Sequence, residues 1–307
     1  MQILKTFPVR KVIVLASITF LILFIIFRSL VNIADFTVVL RGVSWVYFFV
    51  AFALMVPITL LGVTRWYWVV HAAGLNVPFS KIFKIVISSI SLGVIPGRLG
   101  DLARSYPLRK TIPIPQTIGT IVIEKIIDIC VLVVFSGVGL LTLGYLISGT
   151  TALVLAALAV PALELTHRVS RKLSLKNTLA EKVHDAVSVL DKVKERKAVL
   201  FLAILTSFLN WTLSVLQVYW LFRAVGAAVP LSAVYTFHPL STFAGLIPIT
   251  LAGVGTRDSA LIYFFRDFAS PEHSLATGIL YSLQAYWLIA LMGAPLLFYF
   301  FRDKPDS

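Results

Sequence analysis

Apolar stretches about long enough to cross a bilayer recur along the chain, separated by short charged connections. A hydrocarbon core needs about 20 consecutive apolar residues per helical span, and a segment crossing it has no water to satisfy its backbone groups, so only helices or closed barrels can do so. Residues 12–27, 43–63, 116–145, 151–165, 198–222 and 275–301 read as spans of an all-α polytopic membrane protein, and six to eight hydrophobic segments fit in all. Hydrophobic residues make up 59% of the 307 and charged residues only 13%, a balance that a soluble surface cannot carry. The reading is one integral-membrane domain over 1–307, with halves of about 1–150 and 151–307 and no room for a large soluble domain.

The net charge of +13 sits in the connections, where it sets orientation rather than inviting nucleic acid. Lys5, Arg10 and Lys11 precede the first stretch without an acidic counterpart, and Arg302 and Lys304 follow the last. The positive-inside rule then predicts a multi-pass protein of the cell membrane with both termini cytoplasmic. No small-x-small cleavage site precedes Arg28, so the first stretch reads as a retained span and not a signal peptide. Arg65-Trp66-Tyr67-Trp68 reads as an anchor at headgroup level.

The largest basic excess, nine Lys/Arg against four Asp/Glu, lies in residues 166–197. Leu179, Val183, Ala186, Val187, Leu190 and Val193 share one helical face there, and Thr178-x-x-Glu181 forms a capping box. This predicts an amphipathic cytoplasmic helix on the anionic inner leaflet, with a plain connector helix as the rival.

Two segments break the pattern. Residues 82–95 are too short to cross comfortably and end in Pro96-Gly97-Arg98-Leu99-Gly100-Asp101. Residues 231–251 contain Pro239 and Pro248 and run into Ala252-Gly253-Val254-Gly255-Thr256-Arg257-Asp258. Gly93-Val94-Ile95-Pro96 matches Gly245-Leu246-Ile247-Pro248, and glycines, an Arg and an Asp follow both. The three spans expected between them place the breaks on opposite faces, which predicts an inverted repeat with two opposed re-entrant broken helices: one entering from the cytoplasm, the other from outside.

Charged residues near these breaks do not belong in lipid unless they work there. Glu124 and Asp128, spaced i, i+4, put two carboxylates on one face inside a span, where each costs about 2.5–3.5 kcal/mol on insertion scales. They are expected to bind protons, hold cations or pair with Arg98, Arg104 or Arg257; a buried ion pair that only fixes packing is the rival. Lys125 is expected to snorkel or pair locally. The planar fork of arginine suits phosphate, which makes Arg98, Arg104 and Arg257 the candidates for a lipid phosphate, with Asp101, Glu124, Asp128 and Asp258 balancing charge or carrying protons.

Across essentially the whole chain, the sequence resembles the flippase-like membrane-domain family, the lysylphosphatidylglycerol synthase transmembrane region. The resemblance rests, in order, on Pro96-x-Arg98-x-Gly100-Asp101-x-x-Arg104, on Glu124-x-x-x-Asp128, and on Pro248 with Gly253-x-Gly255-x-Arg257-Asp258. It departs at Ala252, where the family commonly has a glycine, at Asp258, where Glu is usual, and at Gly93, near a frequent Asn. The resemblance implies a lipid translocase fold in which Pro96, Gly97, Gly100, Pro248, Gly253 and Gly255 break two opposed helices. Some relatives add aminoacyl- or glycosyl-transfer domains, and neither is expected here.

The leading expectation is a translocase that moves a phospholipid or polyprenyl-phosphate-linked lipid between leaflets through a polar intramembrane cavity, with a separate enzyme supplying the lipid. Two other readings stay open: an intramembrane lipid-modifying transferase, and a transporter of a small anionic solute or ion. Asp101, Glu124 and Asp128 only faintly echo the two-metal motif of CDP-alcohol phosphotransferases, in reversed order. His71, His167, His184, His238 and His273 are scattered, and Cys130 stands alone in an apolar run, so no catalytic residue, metal or cofactor is expected.

Overall fold

The computed structural model describes residues 9–93, 99–158, 188–246, 250 and 253–301, and every regular element among them is helical. In chain order these are α1 Val9–Ser29, α2 Ile33–Arg41, α3 Trp45–Ala72, α4 Phe79–Gly93, α5 Leu99–Ala103, α6 Ile114–Thr142 and α7 Leu146–Leu158. Then come α8 Lys197–Ala224, α9 Leu231–Leu246, α10 Thr256–Phe265, α11 Pro271–Ser282 and α12 Ile289–Phe301, with a π turn over Leu283–Leu288 joining the last two. Pro96, Gly97, Arg98, Pro248, Arg302, Lys304 and residues 159–187 of the basic segment lie outside the described residues.

Among the described residues, three helical segments are long and apolar enough to cross a membrane: Trp45–Ala72, Lys197–Ala224 and Pro271–Leu297. A fourth would be the pair Ala16–Ser29 and Ile33–Arg41, bent by 99° at its break. The sequence pattern gave a simple first span and no element at 33–41. Asn32 makes the difference: its side chain accepts from Ala34 N at 2.9 Å and starts a new helix, while its own backbone N donates to Glu272 Oε1 at 3.0 Å. Trp45, Val46, Phe49 and Val56 of α3 point large apolar surfaces outward, as lipid-facing side chains do.

The chain divides into two compact units, each assembled from separate stretches of the sequence. Unit 1 comprises Met1–Val56, Ile85–Asp101 and Ser214–Ser307; unit 2 comprises Pro57–Lys84 and Leu102–Leu213.

Unit 2 has an apolar core in which Val69, Ala72, Ala73, Ile123, Ile127 and Ala203 meet Val189 and Val193, with Leu190 packed against them. In the described part of the basic segment, helical at 188–195, Leu190 and Val193 therefore face other helices of the protein. Arg196 then donates from Nη1 to the His71 carbonyl at 2.9 Å, covering one of the last carbonyls of α3.

In unit 1 the chain doubles back after α9. Gly253 (φ 76°) and Gly255 (φ 92°) adopt left-handed backbone conformations, and α10 returns so close that a Cβ at Gly253 would lie 3.0 Å from both the Cα and the carbonyl oxygen of Gly245. Of the expected apolar arm 231–251, the described helix is Leu231–Leu246, and the returning helix α10 had no counterpart in the sequence pattern.

This turn yields a paired test against Gly226, which has φ 87° but nothing within 4 Å of where a Cβ would stand. Gly226→Ala should cost only the backbone term of about 1–2 kcal/mol, and Gly253→Ala clearly more, read as loss of thermal stability in detergent. Equal losses would mean that the Gly245–Gly253 approach is not tight.

Candidate functional site

Two buried charge clusters form, one in each unit, and they differ in how completely they are neutralised.

In unit 2, α6 presents Glu124 and Asp128 one turn apart, 0% and 6% exposed. Facing them is Arg65 from α3, 7% exposed. Arg65 Nη2 and Nε reach Glu124 Oε1 at 2.8 and 3.2 Å, and Arg65 Nη1 reaches Asp128 Oδ1 at 3.0 Å. Arg104, in the turn after α5, donates from Nη1 to Glu124 Oε2 at 2.7 Å and lies 5.3 Å from the Trp66 ring centroid. Helix α8 completes the set: Ser207 Oγ and Trp211 Nε1 donate to Asp128 Oδ1 at 2.7 and 3.0 Å, and Asn210 Oδ1 accepts from Arg65 Nη1 at 3.3 Å. Two cations thus face two carboxylates, and each acid is held by at least two donors.

Sequence reasoning missed Arg65. Its charge within an apolar run suggested a helix end near Val63 and a headgroup anchor, but α3 continues to Ala72 and buries both Arg65 and Trp66, the latter 0% exposed. The helix has no need to stop at Arg65, because the two acids of α6 neutralise it in place. Glu124 and Asp128 were themselves the available signal: two intramembrane carboxylates on one face call for cations, and Arg65 directly follows an apolar stretch. Lys125 and Cys130 are half-buried on the same helix.

In unit 1, Arg257 opens α10 and is 2% exposed. Its Nη2 donates to Ser282 Oγ, to Asp258 Oδ1 at 3.1 Å and weakly to the Gly278 carbonyl at 3.4 Å. Asp258 reaches back with Oδ2 to Gly255 N at 2.9 Å, so both of its oxygens are engaged in holding the turn. The rings of Tyr281 and Tyr286 lie 4.9 and 5.5 Å from the guanidinium carbon. The π turn, with hydrogen bonds reaching one residue further than in an α-helix, brings these two positions, five apart, to the same cation. Arg257 Nε and Nη1, by contrast, have no acceptor among the described residues. His238 of α9 lies against Tyr281, and Ser214 Oγ sits between His238 Nε2 (3.2 Å) and Tyr281 Oη (3.3 Å).

Of the other expected site residues, Gly100 is buried and Asp101 half-buried in α5. Among the described residues, no three His, Cys, Asp or Glu side chains converge as metal ligands would.

A family-wide sequence profile, that of the lysylphosphatidylglycerol synthase TM region, matches residues 12–293. The chain belongs to this family. It is therefore a membrane protein of the lysylphosphatidylglycerol synthase TM family, and both clusters lie within the matched region. Curated relatives are archaeal UPF0104 membrane proteins. One from Methanocaldococcus jannaschii is 23% identical over 318 residues, covering 93% of this chain and 94% of the relative. One from Methanothermobacter thermautotrophicus is 31% identical over 127 residues, 41% of this chain and 38% of the relative's length. A second M. jannaschii protein is 27% identical over 67% of this chain and 92% of its own length.

The unit 2 network sets an order of damage. Arg65→Met strips a cation from both acids, whereas Arg104→Met leaves Glu124 still paired, so Arg65→Met should lower stability by about 3–5 kcal/mol and Arg104→Met by less. Thermal unfolding in detergent reads this directly, and the reverse order would remove Arg65 from the centre of the network.

Proposed function

We propose that this protein carries a phosphate-bearing amphipathic lipid, a phospholipid or a polyprenyl-phosphate-linked lipid, from one leaflet to the other without altering it chemically. The observation that carries this reading is Arg257: a guanidinium 2% exposed, with two nitrogens lacking an acceptor among the described residues. A buried charged donor without a partner is costly, and a phosphate oxygen supplies the charge-assisted bond it lacks. Membership of a membrane-domain family named for a phospholipid synthase, and lipid-facing apolar surface on α3, support a lipid as the bearer of that phosphate.

The unit 2 cluster takes a different role in this reading. Arg104 shares Glu124 with Arg65, so it can turn to a passing phosphate while Arg65 keeps the carboxylate neutralised. Arg98, in the segment before α5, is proposed as a further phosphate contact. The reading also has the breaks at Pro96–Gly97 and Pro248–Gly255 entering the membrane from opposite faces as an inverted repeat. It places the protein in the cell membrane with cytoplasmic termini, the basic segment 166–197 on the anionic inner leaflet, and a separate enzyme supplying the lipid.

The test is leaflet exchange of tail-labelled phosphatidylglycerol in vesicles containing the purified protein. Wild type should accelerate exchange, and Arg257→Gln should slow it about tenfold or more, the equivalent of a lost hydrogen bond to a charged group, while still unfolding cooperatively in detergent. Exchange by Arg257→Gln at the wild-type rate would remove the phosphate from this site.

A further inference from the structure

Arg257 is not the only unsatisfied group in its surroundings. Ser274 Oγ, Thr277 Oγ1 and His238 Nδ1 are each 0% exposed by residue and have no hydrogen-bond partner among the described residues. Ser274, Thr277 and Tyr281 follow one another at spacings of three and four along α11, so they form one stripe of that helix. The stripe leads to Arg257: Thr277 adjoins Gly278, whose carbonyl faces Arg257 Nη2, and Tyr281 carries both the guanidinium and the His238 ring against its own ring. Most buried Ser and Thr in the helices of this protein donate to a carbonyl three or four residues back, as Ser88, Thr120, Ser241, Thr242 and Ser282 do. Ser274 and Thr277 leave that local option unused.

We propose that the lipid whose phosphate meets Arg257 ends in an uncharged, hydroxyl-bearing headgroup, and that Ser274, Thr277 and His238 hydrogen-bond its hydroxyls. The proposal rests on the translocase reading above and narrows its substrate class.

Charge and hydrogen-bond chemistry decide between headgroups. A buried ammonium group calls for negative charge not already offset by another cation, since an unpaired buried charge costs far more than an unpaired hydroxyl. Asp258 is the carboxylate beside Arg257, and its charge is already offset by that guanidinium at 3.1 Å. Its position is also closed to adjustment, because a Cβ on Gly278 would overlap its carboxylate. The orphaned groups are neutral hydroxyls and an imidazole nitrogen, each able to exchange one hydrogen bond with an alcohol. The phosphodiester charge meets Arg257, whose Nε and Nη1 have no acceptor among the described residues.

The experiment measures leaflet exchange of three tail-labelled probes in vesicles holding the full-length protein: phosphatidylglycerol, phosphatidylethanolamine and lysylphosphatidylglycerol. Wild type should move phosphatidylglycerol about fivefold faster or more than either amine-bearing probe, the equivalent of one well-placed neutral hydrogen bond. The variant Ser274→Ala/Thr277→Val, nearly unchanged in shape, should reduce that preference toward unity while leaving the slower probes at their wild-type rates. Fastest exchange of an amine-bearing probe, equal rates for all three, or a preference untouched by the double variant would overturn the proposal and leave the translocase reading standing; equal rates would assign the orphaned groups to bound water. Failure of wild type to move any probe would overturn both.

Discussion

Charge buried in an apolar bundle has to be neutralised inside the protein, and the arrangement around Arg65 is organised by that requirement. An isolated carboxylate or guanidinium on a lipid-buried helix carries a penalty of several kcal/mol, so Glu124 and Asp128 are tolerable on α6 only if cations reach them. Arg65 reaches both, and its fork geometry lets one side chain bond two acids a helical turn apart. The consequence spreads through unit 2. Helix α3 has to face α6 at this level, and α8 has to deliver Ser207, Asn210 and Trp211 to the remaining lone pairs and donors. Removing Arg65 would take a cation from both acids at once, so its contribution is not expected to add as separate bonds.

Unit 1 handles the same difficulty differently. Arg257 has one carboxylate, two aromatic faces and hydrogen-bond acceptors gathered at Nη2, and no acceptor among the described residues at Nε or Nη1. Asp258 is divided between this cation and the backbone of the turn that presents it. The aromatic faces offset part of the desolvation cost without consuming the N–H donors, since a cation over a ring is attracted through the quadrupole and not through a hydrogen bond. Among the described residues, the acids of one cluster each have several donors, whereas the cation of the other is short of acceptors.

How much of this the sequence disclosed follows from how local each interaction is. Glu124 and Asp128 declared themselves through their i, i+4 spacing in an apolar run, and Arg257-Asp258 through adjacency beside two glycines. Gly253 and Gly255, singled out in the sequence as breakers, adopt positive-φ conformations that other residues resist. Arg65 was not: its partners lie 59 and 63 positions away, and nothing near it in sequence signals burial. Asn32 likewise ends one helix and starts another partly through Glu272, 240 residues downstream. The stripe of Ser274, Thr277 and Tyr281 had the polarity of an ordinary helix face, and only the folded position of His238 gives it a direction.

The π turn ties these strands together. A helix that kept α-helical pitch through Leu283–Leu288 would carry Tyr286 round to a face away from Tyr281, and Arg257 would lose one of its two rings. The same turn directs Gln284 inward, where Gln217 Nε2 donates to its Oε1 at 3.0 Å and its own Nε2 reaches the Phe48 carbonyl at 3.3 Å. A π turn gives up regular helical geometry and persists where other contacts compensate. Here the compensation is a buried amide pair and a guanidinium set against two rings, so the irregular turn and the buried cation support each other: the distorted turn positions the ring, and the ring offsets part of the cost of burying the arginine.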